Sequence, residues 1–300
     1  MKNPAGHAKA APAGRRGYMI AAGQTLRASL IGEHIQKTRL PAALQIMCDE
    51  AGIELVFDLI DTALQSGAFD FDRKVTELIA AGWTGVTVTH PFKIDAARFA
   101  GDGMMGDAAN LGAANTLLFG DPLKGFNTDH SGFLGAWRHS MGADSPGRVA
   151  MAGSGGVAQA IGPALIELGA QKISLWDVAP ERAQALADKI GPMAEAVPAH
   201  EAPRAIRQAD GLVNATALGM AQYPGSSIAP ALMGGQRWAF DAVYTPTDTE
   251  FLMAAAEAGL NTISGFELFR HMAIGSFEAY TGIRLDAEKT LAKLAMLRPD

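Results

Sequence analysis

A glycine-rich turn between two short apolar runs constrains the fold of this chain more than any other feature. The runs Arg148–Ala152 and Gln171–Trp176 are bounded by turn residues and have the length of buried strands. A helical pattern from Gly155 to Leu168 lies between them. Strand, helix and strand in this order predict a βαβ unit with parallel strands.

The turn has the sequence Gly153-Ser154-Gly155-Gly156-Val157-Ala158. The first glycine allows a tight turn, the second lets the backbone approach a pyrophosphate, and a small residue at 158 lets helix and strand pack closely. The free N–H groups at a helix N-terminus attract phosphate. We therefore predict a Rossmann-type cofactor site; a surface turn without a ligand is the alternative. Its predicted cofactor-binding residues are Gly153, Gly155, Gly156, Val157 and Ala158.

The residue after the second strand, Asp177, bears on the choice between NAD and NADP. A carboxylate at this position accepts hydrogen bonds from the ribose hydroxyls of NAD and repels the 2′-phosphate of NADP. No arginine directly follows Asp177, and Arg182 lies on the next predicted helix. The sequence therefore predicts NAD as the preferred cofactor. A second role for Asp177, as a cap of the helix near Pro180, is compatible with this prediction.

Length and charge limit the kind of protein that this chain can be. Three hundred residues exceed what one hydrophobic core usually accommodates, which predicts two domains. A net charge of -6 argues against binding to nucleic acid or to an anionic membrane, and no apolar run has the roughly 20 residues of a membrane span. With Cys48 as the only cysteine, we expect a cytoplasmic protein. Residues 1–17 are predicted to be a disordered tail, and the oligomeric state, monomer or homodimer, stays open.

Strand-like runs alternate with helical patterns along the rest of the chain, which predicts an α/β fold with largely parallel sheets. In the first half, the predicted strands are Ala28–Gly32, Glu54–Asp61, Val86–Thr89 and Thr116–Phe119, and the predicted helices are Pro41–Ala51, Asp72–Ala81 and Ile94–Phe99. A turn at Gly120-Asp121-Pro122 is predicted to join the fourth strand to Gly125–Asp129 as a hairpin. Later predictions are helices at Phe133–Met141 and Glu250–Ala258, strands at Gly211–Asn214, Trp238–Ala242 and Thr262–Ser264, and a helical tail from Phe266 to Leu297 that is broken near Gly282.

The segment Val88-Thr89-His90-Pro91-Phe92-Lys93 places a lysine just after a buried strand. Open α/β sheets bind their ligands at the carboxyl ends of the strands. Lys93 is therefore a candidate acid–base group; a solvated lysine at the start of a helix is the alternative. No histidine has partners at metal-ligand spacing, so no metal site is predicted; those weighed were His34, His90, His130 and His271.

Five further motifs rich in glycine, asparagine, threonine and aspartate follow along the chain, and their order is informative. They are Gly112-Ala113-Ala114-Asn115-Thr116, Gly125-Phe126-Asn127-Thr128-Asp129, Asn214-Ala215-Thr216-Ala217-Leu218-Gly219-Met220, Asp241-Ala242-Val243-Tyr244-Thr245-Pro246 and Ser264-Gly265-Phe266. From about Ala28 to the C-terminus, this ordered set resembles the shikimate/quinate dehydrogenase family. The resemblance implies a two-domain enzyme with its active site in the cleft between the domains.

The resemblance also implies how the chain is divided. Residues 18–130 and 266–300 would form an N-terminal α/β substrate-binding and catalytic domain, with the C-terminal helices packed back on it. Residues 131–265 would form the Rossmann-type NAD-binding domain. The only expected partner is a small-molecule substrate.

Individual residues match the family's functional positions. Lys93 and Asp129 match its catalytic pair, which hydrogen-bonds the reacting hydroxyl and passes its proton as hydride moves to or from the nicotinamide. Asn115 matches a ligand of a ring hydroxyl. The expected substrate-binding residues are Thr38, Thr87, Thr89, Asn115, Tyr244 and Met272, and the expected cofactor-binding residues beyond the turn are Asp177, Thr216, Met220 and Gly265.

Three positions depart from the family's pattern. Leu40 stands where the family has a second hydroxyl, Thr87 where it has an asparagine, and Met272 where it has a glutamine. Each buried hydroxyl that loses its partner costs about 1–3 kcal/mol. Lys37 or Arg39 would restore carboxylate recognition if its side chain turned inward.

Residues and resemblance together imply an NAD-dependent dehydrogenase that interconverts a ring hydroxyl and a ketone of shikimate, quinate or a related cyclic hydroxy acid. A dehydrogenase of a less polar alcohol is the alternative that Leu40 and Met272 favour. A non-catalytic ligand or redox sensor is a third alternative. Lys93 and Asp129 argue against the sensor, because a binding module needs no proton-transfer pair.

Overall fold

The computed structural model describes Ile20 and residues 23–299, apart from the side chains of residues 107 and 108. The predicted tail, residues 1–17, lies outside the described residues. Two sheets follow one another along the chain, each covered by helices. Of the helices described, none is both long and apolar enough to cross a membrane.

The first sheet belongs to the N-terminal part of the chain. Its elements are β1 (Thr25–Gly32), α1 (Leu40–Ala51), β2 (Glu54–Asp61), α2 (Phe71–Ala80), β3 (Gly85–Val88), α3 (Lys93–Ala100), β4 (Thr116–Leu118) and β5 (Lys124–Phe126). The strand order is β2-β1-β3-β4-β5. The first three strands are parallel, and β4 and β5 form the predicted hairpin.

The second sheet follows α4 (Thr128–Met141) and is parallel throughout. Its elements are β6 (Arg148–Ala152), α5 (Ala158–Glu167), β7 (Lys172–Trp176), α6 (Pro180–Ile190), β8 (Ala194–Ala196), α7 (Ala202–Arg207), β9 (Gly211–Asn214), β10 (Trp238–Asp241), α8 (Glu250–Glu257) and β11 (Asn261–Ile263). The order β11-β10-β9-β6-β7-β8 reverses its direction between β6 and β9. Doubly wound sheets bind ligands at such a switch point.

Two final helices, α9 (Gly265–Thr281) and α10 (Ala287–Leu294), return to the first sheet. Phe277 and Tyr280 of α9 share a buried core with Leu44 and Met47 of α1. This packing confirms the predicted fold class: an α/β substrate-binding unit, a Rossmann-like unit and C-terminal helices that pack back on the first.

Most predicted elements are present with slightly different ends, and two differences affect the site. The helix predicted from Phe133 begins at Thr128, because Asn127 caps it by accepting the N–H groups of Asp129 and His130. The extended run predicted for residues 125–129 therefore ends at Phe126. The helix predicted from Gly155 begins only at Ala158, so all three glycines stay in the turn.

Two short elements have no counterpart among the sequence predictions. β8 has three residues, all partly exposed, and α7 has six residues with a proline in its first turn. β8 has the sequence Ala-Glu-Ala and so contains no apolar run of the kind that predicts a strand, and α7 has fewer than two turns in which a helical period could show.

Glycines let α4 and α9 approach each other closely. A Cβ on Gly132 would lie 2.9 Å from the backbone nitrogen of Met272, and one on Gly135 would lie 2.5 Å from Nδ1 of His271. On the same α4, Phe133 and Trp137 pack edge-on against Phe240 and Trp238 of β10. The helix pair therefore joins the core of the second sheet to that of the first.

Because His271 is buried between α4 and α9, we expect the stability of the fold to fall in acid. Burial lowers its pKa to about 4, Glu267 acts in the opposite direction, and His139 and Arg270 lower it further. Between pH 6.5 and 4 the unfolded chain binds a proton there that the folded chain rejects, so stability falls as pH falls. We expect His271→Leu to lose less unfolding free energy than the parent between about pH 7 and pH 5 in urea titrations.

The matched control is His200→Leu, since the His200 side chain is 81% exposed. It should keep the pH dependence of the parent. Equal acid sensitivity in His271→Leu and the parent would exclude His271 as the responsible group.

Candidate active site

The candidate functional groups follow the carboxyl ends of strands in both sheets, the edge at which such sheets bind ligands. In chain order they are Lys93 after β3, the glycine-rich turn after β6, Asp177 after β7, Thr216 after β9, Tyr244 after β10 and Gly265 after β11. The two edges touch. Cβ and Cδ of Lys93 each lie 3.2 Å from the position that a Cβ on Gly156 would take.

Lys93 and Asp129 form an ion pair at this junction. Nζ of Lys93 donates to Oδ2 of Asp129 over 2.6 Å, and the two side chains are 14% and 7% exposed. Lys93 is the first residue of α3. Asp129 lies in the first turn of α4, where the helix dipole stabilises negative charge. A sheltered donor and acceptor so close together can hold a substrate hydroxyl and move its proton.

A buried hydrogen-bond network fixes the start of α4. Nδ2 of Asn115 donates to Oγ1 of Thr128 at 2.9 Å, and Oδ1 of Asn115 accepts the N–H of Thr128 at 2.8 Å. Oγ1 of Thr128 lies 3.0 Å from Oγ of Ser276 on α9. Because Thr128 precedes Asp129, the network also holds the carboxylate. Sequence reasoning missed Ser276, whose signal is a polar residue on an otherwise buried helix face.

Thr38 and Tyr244 meet although the chain separates them widely. Oγ1 of Thr38 lies 3.3 Å from the Tyr244 hydroxyl, and the Tyr244 ring stacks on Phe269 with centroids 5.0 Å apart. Burial raises the pKa of Tyr244, while Thr38 and Arg39 act in the opposite direction. Tyr244 therefore stays protonated and able to donate. Leu40 is 2% exposed and belongs to the core.

The remaining predicted substrate ligands are Thr87, Thr89 and Met272, and two of them are hydrogen-bonded to other side chains of the protein. Thr89 lies in the loop that leads to Lys93, and Phe92 donates its N–H to the carbonyl of Thr89 at 3.0 Å. The Thr87 hydroxyl is 2.7 Å from that of the buried Tyr280. Sδ of Met272 accepts from Ser276 at 3.5 Å. Thr87 and Met272 thus have partners within the protein, and their contact with substrate stays a prediction.

The glycine-rich turn fits a dinucleotide pyrophosphate. Gly153 has φ +96°, and a Cβ on it would lie 2.7 Å from the carbonyl oxygen of Ala215, so only glycine is accommodated. Gly155 is exposed, with nothing within 4 Å of the position of a Cβ. Val157 precedes α5 and no side chain caps that helix, whose first residue, Ala158, is fully buried. The N–H groups of Gln159 and Ala160 already donate to the carbonyls of Gly155 and Val157, at 3.1 Å and 3.0 Å, so the N–H groups offered to phosphate are those of the turn that precedes them.

Asp177 lies beside this turn and is bound to it. Oδ2 accepts from the N–H and hydroxyl of Ser154, and Oδ1 accepts the N–H of Ala179 at 3.0 Å. Partial burial acts to raise the pKa of Asp177. The hydrogen bonds and the charge of Arg182 outweigh it, so the pKa lies below its ordinary value. An ionised carboxylate at this place suits ribose hydroxyls and repels a phosphate.

A second buried network fixes the loop that carries Thr216 and Met220. Nδ2 of Asn214 donates to Oδ1 of Asp241 at 2.9 Å, and Oδ1 of Asn214 accepts from Oγ1 of Thr216 at 2.6 Å. Oγ1 of Thr249 donates to Oδ2 of Asp241 at 2.6 Å. Burial raises the pKa of Asp241 to about 6, against the hydrogen bonds that it accepts. The loop is thus tied to the end of β10.

Gly265 brings the start of α9 close to the same strand end. A Cβ on Gly265 would lie 2.5 Å from the carbonyl oxygen of Val243, so the backbones are in contact. Ser264 caps α9 by accepting the N–H of Glu267. Within the described part of the chain, no cluster of three or more His, Cys, Asp or Glu side chains is placed to hold a metal ion.

Comparison with known proteins gives one consistent picture. Residues 30–117 match the shikimate dehydrogenase substrate binding domain. A quinate/shikimate dehydrogenase (NAD(+)) of Corynebacterium efficiens is 33% identical over 279 residues, 89% of this chain and 97% of that protein.

Two solved structures share the architecture. Quinate dehydrogenase from Corynebacterium glutamicum in complex with NAD has a TM-score of 0.81 at 30% identity, covering 91% of this chain and 100% of the other. The shikimate 5-dehydrogenase of Thermus thermophilus in complex with NADP(H) and shikimate has a TM-score of 0.77 at 30% identity, covering 91% and 99%.

The fold and the site define a dinucleotide-dependent dehydrogenase with two α/β units. The chain belongs to the shikimate/quinate dehydrogenase family, whose members are NAD(P)-dependent oxidoreductases of CH–OH groups.

The turn geometry predicts opposite outcomes for two glycines. The Cβ in Gly155→Ala would contact no protein atom, but it would fill space that we expect a pyrophosphate to need. The melting temperature should therefore match that of the parent, while NAD affinity should fall about tenfold or more, which corresponds to about 1.4 kcal/mol.

Gly153→Ala forces a side chain into a left-handed conformation against Ala215, which costs about 1–3 kcal/mol of stability. Calorimetric NAD titration and thermal unfolding measure both. Unchanged NAD affinity in Gly155→Ala would place the pyrophosphate elsewhere.

Proposed function

We propose that this chain is an NAD-dependent oxidoreductase that interconverts a ring hydroxyl and a ketone of quinate, shikimate or a related cyclic hydroxy acid. The observation that carries the proposal is the sheltered Lys93–Asp129 pair against Gly156 of the glycine-rich turn. A proton-transfer pair and a dinucleotide turn in one cleft suit removal of a proton and a hydride from the same alcohol. The relatives named for quinate and shikimate support the substrate class.

The protein groups divide the work of the reaction. The glycine-rich turn and Asp177 would hold the NAD, which would supply the hydride acceptor for oxidation and the hydride donor for reduction. In its neutral amine form, Nζ of Lys93 takes the hydroxyl proton during oxidation and becomes the ammonium of the ion pair. During reduction this ammonium gives the proton back to the substrate oxygen. Asp129 holds Nζ by its 2.6 Å hydrogen bond and so keeps it in reach of the reacting oxygen. Asn115, fixed by Thr128, orients a neighbouring ring hydroxyl.

Recognition of the substrate carboxylate falls to Thr38 and Tyr244. Leu40 is buried in the core and has no polar side-chain atom to offer, but the Tyr244 hydroxyl lies beside that of Thr38. We propose that these two hydroxyls hold the carboxylate. Arg39 also donates its backbone N–H to the Tyr244 hydroxyl, and its positive charge would attract the carboxylate.

A second candidate is the same chemistry on a less polar alcohol, which Met272 favours. Its sulfur accepts a hydrogen bond but cannot donate one to a ring hydroxyl, whereas a glutamine could do both. Steady-state reduction of NAD with quinate, shikimate and less hydroxylated cyclic alcohols separates the two candidates. Efficient turnover of only the latter group would overturn the first proposal, and a protein that turns over none of them would be no dehydrogenase of this class.

Lys93→Ala should bind NAD as the parent does but lose turnover by about 10²–10⁴-fold, the usual contribution of a general acid–base group. The measurement is kcat at saturating substrate, together with calorimetric titration of NAD. Lys289→Ala is the matched control, because that side chain is 76% exposed and lies on α10, which carries none of the proposed catalytic or binding residues. Near-parental kcat in Lys93→Ala would remove this lysine from the mechanism.

For the cofactor we propose a preference for NAD that depends on Asp177. Asp177→Ala should lower kcat/KM for NAD and raise it for NADP, because a hydrogen-bond acceptor and a repelling charge are lost together while Arg182 remains. The exposed Asp188 on the same stretch of chain provides the control Asp188→Ala. A parent enzyme that prefers NADP would contradict the proposal directly.

We also propose domain limits. Residues 18–130 and 266–300 form the substrate domain, and residues 131–265 form the cofactor domain. The first limit then falls inside α4, near its N-terminal end, so that Asp129 belongs to the substrate domain while Phe133 and Trp137 pack on the cofactor domain.

A further inference from the structure

Ser154 makes two hydrogen bonds to one carboxylate oxygen. Its N–H and its hydroxyl both donate to Oδ2 of Asp177, at 2.8 Å and 2.7 Å. The other oxygen, Oδ1, accepts the N–H of Ala179. Ser154 is 4% exposed, whereas Asp177 is only partly buried. A buried donor thus holds an acceptor that remains open to solvent.

These contacts determine how the carboxylate can be used. A carboxylate has about four acceptor positions, and a free one rotates so that its two oxygens exchange places. Three donors from the protein occupy three of those positions and fix the plane of the group. The orientation of the remaining position is then set before any ligand arrives, and such preorganisation raises affinity.

We propose that the Ser154 hydroxyl is a positioning group for NAD recognition: it holds Asp177 in the orientation that accepts the adenosine ribose hydroxyls. The inference rests on the proposed use of Asp177 in cofactor choice. It goes beyond that use by separating two properties of the site. Affinity for NAD depends on the orientation that Ser154 imposes, whereas rejection of a 2′-phosphate depends on the charge, which Asp177 keeps without Ser154.

The turn does not need this hydroxyl to keep its shape. Gly153 donates its N–H to the carbonyl of Trp176 at 2.8 Å, and Gln159 donates to the carbonyl of Ser154 at 3.4 Å. The N–H of residue 154 would still bind Asp177 in a Ser154→Ala protein. That variant therefore removes one donor and leaves the backbone in place.

The test is a double-mutant cycle on cofactor binding, measured by calorimetric titration of the full chain with NAD and with NADP. We expect Ser154→Ala to raise the Kd for NAD about three- to tenfold, the range for loss of one hydrogen bond, with NADP still rejected. Asp177→Ala should weaken NAD and improve NADP. In the Asp177→Ala background, Ser154→Ala should have no further effect, because its partner is gone. Ser154→Thr keeps the hydroxyl and should bind NAD more tightly than Ser154→Ala.

Each contrary result overturns the proposal in its own way. An equal loss from Ser154→Ala in both backgrounds would mean that Ser154 contacts the cofactor itself. A parallel loss of NAD and NADP binding with a lower melting temperature would mean a structural role only. No loss at all would mean that Ser154 does not affect recognition. A parent protein that binds NADP more tightly than NAD would instead defeat the proposed cofactor preference, and the parent titrations alone reveal it.

Discussion

The close contact between α4 and α9 joins the core of the second sheet to that of the first and so brings candidate functional groups of both together. α4 carries Asp129 at one end and packs on the core of the second sheet along its length. α9 begins at the end of β11 and packs on the core of the first sheet. Where they cross, Gly132 and Gly135 leave room for the backbone of Met272 and the ring of His271. A Cβ at either position would lie within 3 Å of an atom of α9, so α9 would have to shift to accept a larger residue.

The Lys93–Asp129 ion pair depends on this geometry from both sides. Asn115 and Ser276, from the first sheet and from α9, bind Thr128 and hold the start of α4. Lys93 reaches the same point from α3. The result is a charged pair that the substrate does not need to assemble. Pairs sheltered from water in this way interact more strongly than exposed ones, provided that both partners stay matched.

The sequence predicts the parts of this structure that depend on local patterns. β2 has its predicted limits, and the βαβ unit around the glycine-rich turn is present with small differences at its ends. The start of α4 is not predicted, because a cap by Asn127 competes with the extended pattern that precedes it. β8 contains no apolar run, and α7 has too few turns to show a helical period.

Contacts between distant parts of the chain are the main gap in what sequence can predict. Thr38 and Tyr244 belong to different units, and nothing in either motif shows that their hydroxyls meet. The same holds for Thr87, whose hydroxyl is taken up by Tyr280 of α9. The functional residue types and their order are readable from the sequence, but their partners depend on how the two sheets are brought together.

The contact of Lys93 with Gly156 limits how this protein can change over evolutionary time. Gly156 of the proposed cofactor turn packs against Lys93 of the proposed acid–base pair, with 3.2 Å between the lysine stem and the position that a Cβ on Gly156 would take. A larger residue at position 156 would therefore press on the lysine as well as change the turn. The side chain of Asp177 contacts Ser154 and Ala179, so a change at Asp177 leaves the contact between Gly156 and Lys93 in place. Asp177 is therefore the position at which we expect a change of cofactor preference to disturb Lys93 least.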